Sequence, residues 1–269
     1  MNRADKILKM INPDGAGLEI GPSFNPVAPK RAGYNVKIID FMSTEQLVSL
    51  NAARSHDISQ IEDVDYIWDG RSFQEIIGPD QKFDWIIASH VIEHTPDIIT
   101  FINDCGNILT QNGVVSLVIP DKRYCFDYFR PVSNLSQVID AFIARRKRHS
   151  QGSVVEYFLY HCWKNEMLAW HKAYSGDVRF PYPIEFAKDM FAKAASCQDY
   201  IDIHAWCFTP SSFRLLVHDL ERLELITLKE CIFFPTVEYE FFVSMSRHTS
   251  GSEVSRVNLM HQALEELRE

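Results

Sequence analysis

The segment His90-Val91-Ile92-Glu93-His94 carries two histidines and a glutamate within five residues. It matches the H-x-x-E-H pattern of inverted zinc peptidases, in which two histidines one helical turn apart bind the metal and the glutamate polarises water. A third ligand would be required, and the candidates are His161, His171 and His204. Thr95-Pro96 follows directly and leaves little helix to present both histidines. We therefore expect no bound metal, and a zinc hydrolase is the alternative interpretation.

The same histidines have a second use as general bases. The unperturbed pKa of histidine lies near neutrality, so a histidine can remove a proton from a hydroxyl nucleophile at physiological pH. His90 and His94 follow an apolar run, and His204 lies in Asp202-Ile203-His204-Ala205-Trp206, just before the chain returns to a sheet-like pattern. These three histidines are the catalytic candidates.

Two carboxylates near the N-terminus suggest a nucleoside site. The apolar run around Leu18 and Ile20 carries Glu19 and breaks at Gly21, and a second apolar run ends on Asp40. This spacing suits a strand–turn–helix–strand unit that binds an adenosine-containing cofactor, with the second acid accepting hydrogen bonds from ribose hydroxyls. The loop has one turn glycine followed by two prolines, so it offers few backbone N–H groups. This loop favours a nucleoside cofactor without a diphosphate.

Composition bounds the class of protein. The chain has 269 residues, of which 46% are hydrophobic and 23% charged, and no run approaches the length of about 18 apolar residues that a membrane span needs. The net charge of −9 argues against a nucleic-acid partner. The six cysteines never form C-x-x-C, which excludes a zinc ribbon. Reduced thiols and the absence of a signal-peptide pattern indicate a cytoplasmic protein.

The elements that must position these residues alternate along the first 121 residues. Apolar runs at 16–20, 36–40, 64–68, 83–88 and 113–119 are separated by helical patterns. The segment Asp97 to Leu109 has helical periodicity, and Gln111 to Gly113 predicts the turn that ends this helix. Strands that alternate with helices imply a parallel α/β sheet covered on both faces.

The remainder of the chain divides into an insertion, a return to the sheet and a tail. Residues 122–205 are rich in aromatics and predict a helical insertion, or substrate lid, over the C-terminal edge of the sheet. We then expect a helix from Thr209, a strand from Leu223 to Phe234, a turn at Pro235 and an antiparallel strand from Val237 to Met245. The predicted domains are therefore 1–121 with 206–250 as the core, 122–205 as the insertion, and 251–269 as a C-terminal helix.

Five parallel-type strands followed by a helix and an antiparallel pair resemble the class I S-adenosylmethionine-dependent methyltransferases. The resemblance is carried by Leu18-Glu19-Ile20-Gly21, Ile39-Asp40, Trp68-Asp69-Gly70, Phe83 to His94 and Asn112-Gly113-Val114-Val115. It implies a Rossmann-like sheet of seven strands, mostly parallel, with an antiparallel last strand, and S-adenosyl-L-methionine as the cofactor. The cofactor-binding residues implied are Glu19, Gly21, Ser23, Asp40, Asp69, Gly70 and Ser89. Among them, Asp40 would bind the ribose and Asp69 the adenine amino group.

Basic and aromatic residues after the fifth strand suggest the acceptor. Lys122 and Arg123 could receive a phosphate or carboxylate, and Tyr124 and Trp206 could pack against a flat ring. Residues 15–130 also resemble bacterial methyltransferases of surface-polysaccharide biosynthesis. We therefore expect methyl transfer to an oxygen, in preference to a nitrogen, of a small anionic or carbohydrate-like acceptor such as a sugar nucleotide or phosphorylated glycan. A non-catalytic binding protein of the same fold is a further alternative.

Overall fold

The computed structural model describes residues 1–197 and 199–268, and its centre is a seven-stranded sheet. The strands of the chain are β1 (Gly17–Ile20), β2 (Val36–Asp40), β3 (Tyr66–Ile67), β4 (Phe83–Ser89), β5 (Leu109–Pro120), β6 (Trp163–Lys164), β7 (Val178–Arg179), β8 (Lys229–Val237) and β9 (Glu240–Ser246). The large sheet has the order β3-β2-β1-β4-β5-β9-β8, while β6 and β7 form a separate pair. Strand β9 is antiparallel to both of its neighbours, and the pairs from β3 to β5 are parallel. The predicted Rossmann-like sheet of seven strands, mostly parallel with an antiparallel last strand, is confirmed.

Helices cover both faces of this sheet. The described residues form α1 (Arg3–Ile7), α2 (Thr44–Ala53), α3 (Phe73–Ile77), α4 (Ile98–Ile108), α5 (Leu135–Ile143), α6 (Gln151–Tyr160), α7 (Ile184–Ser196), α8 (Pro210–Arg222) and α9 (Arg256–Glu266). In β4, Ile86 and Ala88 join one apolar cluster with α4 and α8, while Trp85 and Ile87 join another with α1. Alternate residues thus face opposite layers, which explains why the strands read as continuous apolar runs.

Polar side chains fix where several helices begin. Ser43, Ser72 and Asn134 each accept a hydrogen bond from the third backbone N–H of the helix that follows and close a capping box. Asp97 caps α4 in a similar way through the N–H of Thr100. Helix α4 therefore begins directly after the loop that follows β4, and this loop carries the histidine motif.

Three boundaries differ from the sequence-based expectation. Helix α4 ends at Ile108 and β5 begins at Leu109, so no separate turn at 111–113 ends the helix. The predicted strand from Leu223 begins only at Lys229, and Ile226 and Leu228 before it are buried in the apolar core without belonging to a strand. Pro235 lies within β8, at an irregularity between Phe234 and Val237 on the edge strand, where proline is tolerated.

The segment between β5 and α8 contains the three helices α5, α6 and α7 and the small β6–β7 pair. Its apolar contacts include a cluster of Val154, Phe158, Ala187, Ala194 and Ile203. Within residues 1–197 and 199–268, no helix combines the length and the apolarity needed to cross a membrane.

Replacing Gly17 with alanine should destabilise the sheet. A Cβ atom there would overlap the Trp85 ring, which is fully buried and held by a hydrogen bond from its Nε1 to the Gly15 carbonyl at 3.2 Å. We expect Gly17→Ala to lower the free energy of unfolding by about 1–3 kcal/mol or more. Gly152→Ala is the control, because its nearest neighbour would lie at an ordinary 3.8 Å. Chemical denaturation of both variants checks this, and equal stabilities would contradict it.

Candidate functional site

A cavity of about 420 Å³ opens at the carboxyl ends of the parallel strands. Open α/β sheets bind ligands at this edge. Its lining comes from the loops after β1, β2, β3 and β4 and from the segment between β5 and α8. The lining residues are Ile20, Gly21, Ile39, Asp40, Phe41, Trp68, Asp69, Gly70, His90, Val91, His94, Thr95, Pro96, Lys147, Tyr200 and Asp202.

Asp40 is the buried carboxylate of this cavity. Its Oδ1 accepts a hydrogen bond from the Phe41 N–H at 2.8 Å and its Oδ2 accepts one from the Ser23 N–H at 3.3 Å. Burial raises the pKa of Asp40 to about 6, despite these backbone donors. Each oxygen keeps further acceptor capacity, so the ionised side chain can receive hydroxyl donors from a ligand. The structure places Asp40 and Gly21 in the lining of one cavity.

Glu19 shapes the loop rather than lining the cavity. It is fully buried, and its two carboxylate oxygens accept hydrogen bonds from the Val27 N–H at 2.6 Å and the Ala28 N–H at 3.1 Å. Burial raises the pKa of Glu19 to about 7. The loop after β1 is further held by Asn51, whose amide donates to the Ser23 Oγ at 3.1 Å.

The adenine-site candidates Asp69 and Gly70 line the cavity at its exposed side. Asp69 binds Arg71, whose Nε lies 3.0 and 2.9 Å from the two carboxylate oxygens, and this hydrogen bonding holds the pKa of Asp69 below its ordinary value. The Gly70 carbonyl accepts a hydrogen bond from Lys147 Nζ at 3.0 Å. Lys147 therefore connects the segment after β5 to the loop after β3.

His90 contributes a positive charge to the cavity wall. Its backbone is in the left-handed region at φ 55°, an unusual conformation for a residue other than glycine. Its Nε2 lies 2.9 Å from Oε2 of Glu240, a residue that also binds Arg3 at 2.7 Å. Burial lowers the pKa of His90, but Glu240 and Glu93 outweigh it and raise the pKa to about 9. His90 is therefore protonated at neutral pH. Ser89 accepts a hydrogen bond from Arg3 and is absent from the cavity lining described above.

Glu93 is the centre of a buried cluster with three histidines. It is fully buried, and neither carboxylate oxygen has a hydrogen-bond partner. Oε1 lies 3.4 Å from His90 Nδ1, without hydrogen-bond alignment, and 4.0 Å from His204 Nε2. Burial would raise the pKa of Glu93, but the facing histidines, including His94, hold it below its ordinary value.

Two carboxylates orient the rings of His94 and His204. His204 Nδ1 lies 2.6 Å from Oδ2 of Asp127, and Asp127 also accepts a hydrogen bond from Arg130 at 2.8 Å. His94 Nδ1 lies 2.8 Å from Oδ1 of Asp202. The two rings meet edge to face with centroids 4.6 Å apart.

Backbone hydrogen bonds fasten residues 199–206, here called the return segment, to the loop after β4. The N–H groups of Ala205 and Trp206 donate to the Glu93 carbonyl at 2.7 and 3.2 Å. The Tyr200 hydroxyl donates to the His94 carbonyl at 2.6 Å, and Trp206 Nε1 donates to the Thr95 carbonyl at 2.6 Å. These contacts bring His204 beside Glu93 although the two lie far apart in sequence.

The H-x-x-E-H segment does not form the helical zinc motif. Residues Ile92–His94 form a single 3₁₀ turn, and His90 precedes it with a left-handed backbone. The two histidines therefore do not share a helical face. His90 binds Glu240, and His204 takes the place beside Glu93 and His94.

The four residues predicted to bind the acceptor, Lys122, Arg123, Tyr124 and Trp206, do not line the cavity. Lys122 is buried and donates to the Tyr128 carbonyl at 2.8 Å, and burial lowers its pKa. Arg123 binds Asp121, and Tyr124 packs with Cys162 and Trp170. Trp206 lines a second hollow of about 340 Å³, which shares Pro96 with the cavity. Only Trp206 among these four thus lies next to the cavity in the described structure.

The cavity lining includes several residues that were not predicted site residues, among them Phe41, Trp68, Lys147 and Tyr200. Phe41 directly follows the predicted strand that ends at Asp40 and is 53% exposed despite its size, and Trp68 ends the predicted strand at 64–68. Lys147 belongs to a basic run that reads as a solvated helix end, and Tyr200 lies in the return segment. An aromatic immediately after a strand-terminal acid was a usable signal for Phe41. No local sequence pattern indicates that Lys147 or Tyr200 lines the cavity.

No model of a known protein family matches the sequence, and no curated protein matches it. Among solved structures, the CcbJ methyltransferase from Streptomyces caelestis is 11% identical, with 91% of this chain and 96% of that chain covered and a TM-score of 0.44. An S-adenosylmethionine-dependent methyltransferase from Aquifex aeolicus is 11% identical, with 90% and 88% covered and a TM-score of 0.43. A protein described as a putative Zn-dependent alcohol dehydrogenase from Rhodobacter sphaeroides is 13% identical, with 91% and 88% covered and a TM-score of 0.46. Because these sequence identities and TM-scores are low, the function of this chain has to be argued from the residues of the site itself.

The raised pKa of Glu19 predicts a pH-dependent stability. The unfolded carboxyl ionises near 4.5 and the folded one near 7, so the folded state binds more protons between these values. The free energy of unfolding should therefore fall as pH rises from 4.5 to 7, by up to about 3 kcal/mol from this group. Glu19→Gln should make this slope shallower in denaturation curves at pH 5, 6 and 7. The exposed Glu185→Gln is the control, and an unchanged slope in Glu19→Gln would refute the assignment.

Proposed function

We propose that the chain is a methyltransferase that uses S-adenosyl-L-methionine. The observation that carries this proposal is the buried carboxylate of Asp40 at the end of β2, beside Gly21 in one cavity. An ionised carboxylate there can accept hydrogen bonds from both ribose hydroxyls. A volume of about 420 Å³ lies in the range of sites for drug-sized ligands.

The rest of the cavity fits the adenine end of such a cofactor. Phe41 and Trp68 offer apolar faces to a planar ring, and Asp69 follows Trp68 with a carboxylate that can accept from an amino group. Gly70 has a positive φ of 88° and open space around its Cα. The loop after β1 supplies Gly21, also with a positive φ, so the backbone can approach a ligand closely.

The bound cofactor supplies an electrophilic methyl group on a sulfonium, so the protein must align a nucleophile and accept its proton. His90 holds its proton at neutral pH and is better suited to stabilise negative charge than to act as a base. His94 lines the cavity, and the buried His204 ring packs against the His94 ring with centroids 4.6 Å apart. We assign proton acceptance to His94 or His204, with an oxygen of the acceptor as the nucleophile.

The second hollow suggests the acceptor. It adjoins the cavity at Pro96 and is lined by the side chains of Arg146, His149, Glu156 and Trp206 among others. Burial lowers the pKa of His149 to about 4, so its neutral ring can exchange hydrogen bonds with hydroxyl groups. A polar, carbohydrate-like or anionic acceptor suits this lining, and residues 122–205 would form the acceptor side. Surface-polysaccharide synthesis is the setting that the sequence resemblance suggests.

Removing the Asp40 carboxylate should weaken cofactor binding. S-adenosylhomocysteine, the demethylated product, is the probe for calorimetric titration of the purified chain. We expect saturable one-to-one binding to the wild type, and Asp40→Ala should lose about 1–3 kcal/mol of binding free energy, the value of a charged hydrogen bond. Asp63→Ala, which changes an exposed carboxylate outside the cavity, is the matched control. Absence of binding to the folded wild type would overturn the proposed function, whereas equal affinities would overturn only the role of Asp40.

Cofactor affinity should also depend on pH. Asp40 ionises at a pKa of about 6, and hydroxyl donors bind the ionised form. The association constant should therefore be constant above this pH and fall by up to about tenfold per pH unit below it. Titrations of wild type and Asp40→Asn between pH 5 and 7.5 check this. A profile in Asp40→Asn as steep as that of the wild type would show that another group controls binding.

A further inference from the structure

Three potential metal ligands meet beside the cavity. One ligand atom each from Glu93, His94 and His204 lies within 4.8 Å of the other two. They come from the 3₁₀ turn after β4 and from the return segment, which the backbone hydrogen bonds to Glu93 hold together. Two imidazoles and one carboxylate form a donor set typical of catalytic zinc sites.

Both histidines have the surroundings of metal-binding imidazoles. In each ring, a carboxylate lies within hydrogen-bond distance of Nδ1, Asp127 at 2.6 Å for His204 and Asp202 at 2.8 Å for His94. Such a partner fixes the tautomer and leaves Nε2 as the ligand atom. In His204, Nε2 is the atom that faces Glu93. Asp127 is in turn held by buried Arg130.

The carboxylate of Glu93 supplies the independent observation. The side chain is completely buried, yet neither of its oxygens accepts a hydrogen bond. His90 Nδ1 lies 3.4 Å from Oε1 as a charge partner without a hydrogen bond. A buried carboxylate that accepts no hydrogen bond is costly, and such groups usually accept hydrogen bonds or coordinate a cation. Because Oε1 is directed to within 4.0 Å of His204 Nε2, a cation placed between the two would satisfy both.

We propose that Glu93, His94 and His204 bind a divalent transition-metal ion, with Zn²⁺ as the best-fitting ion. Tetrahedral zinc sets neighbouring ligand atoms about 3.3 Å apart, so the three side chains would close by about 1 Å. The imidazole donors disfavour Mg²⁺ and Ca²⁺, which prefer oxygen. The ligand set differs from the H-x-x-E-H interpretation, because His90 is not a ligand and Glu93 binds the ion instead of polarising water. It also departs from the sequence-based expectation of no metal.

Because His94 also lines the cavity, the fourth position of the ion would open towards the proposed cofactor. This role rests on the proposed function: an acceptor hydroxyl bound there would have a lowered pKa and would release its proton to solvent water. Its oxygen would then bond to the methyl carbon while the bond from that carbon to the cofactor's sulfur breaks, and S-adenosylhomocysteine would leave. His94 and His204 would then act as ligands rather than as bases. Metal binding itself does not depend on the cofactor.

The test is calorimetric titration of the chelator-treated, tag-free chain with ZnCl₂. We expect one strong site per chain, with a Kd below about 1 μM. Glu93→Gln and His204→Ala should each weaken binding by more than about 100-fold, because each removes a ligand. His261→Ala, which changes an exposed histidine on α9, is the matched control and should bind as the wild type does. Strong binding that survives both ligand substitutions would overturn the proposal, as would its absence in the folded wild type.

Two further readouts guard against misfolded variants. Co²⁺ bound to the wild type should give the visible absorption of a tetrahedral site, and Asp202→Ala, which leaves the three ligands in place, should weaken binding about 10- to 100-fold.

Titration of each variant with S-adenosylhomocysteine separates the two proposals. A variant that keeps nucleoside binding and loses zinc supports the metal site, whereas wild type that binds zinc and no nucleoside overturns only the proposed function. Octahedral Co²⁺ spectra unaffected by Glu93→Gln would overturn the metal site.

Discussion

The buried charge of Glu93 is the constraint on which the site depends. A carboxylate removed from water is tolerated only if positive or hydrogen-donating groups surround it. Three histidines from two distant parts of the chain lie around the Glu93 carboxylate. Asp127 orients the ring of His204, and Asp202 orients the ring of His94. Since Asp127 and Asp202 both lie between β5 and α8, that segment must dock before the charge is balanced.

The loop after β4 connects the two halves of the site. His94 lines the cavity on one side and belongs to the Glu93 cluster on the other. Its neighbour Thr95 holds the return segment through the carbonyl that accepts from Trp206. A shift of this loop would therefore move a wall of the cavity and a member of the buried cluster together.

Much of the fold could be predicted from the sequence, because buried parallel strands and capped helices leave local patterns. The predicted runs at 16–20, 36–40 and 83–88 became β1, β2 and β4 with close to the expected bounds. Asp40 and Gly21 meet at one edge because the carboxyl ends of parallel strands coincide. The predicted strand boundaries were wrong where an apolar residue is buried in the core but not paired in the sheet, as at Ile226.

The site was harder to predict, because its partners are brought together by tertiary contacts. The spacing of His90 and His94 suggested that the two side chains act as a pair. The left-handed backbone of His90 prevents them from sharing a helical face. Lys122 was predicted to receive an anionic acceptor, yet it is buried and donates to a backbone carbonyl. His204 was identifiable as a candidate, but its place beside Glu93 depends on hydrogen bonds that no local pattern encodes.

The position of β9 has a consequence for synthesis of the chain. This strand lies between β5 and β8 and is fully buried, yet it ends only at Ser246. Arg3, near the start, binds Glu240 on the same strand. A nascent chain leaving the ribosome therefore carries an unpaired β5 edge until β9 has been made. Such high contact order slows folding and exposes an edge to aggregation, which makes chaperone assistance most valuable during the interval between synthesis of β5 and synthesis of β9.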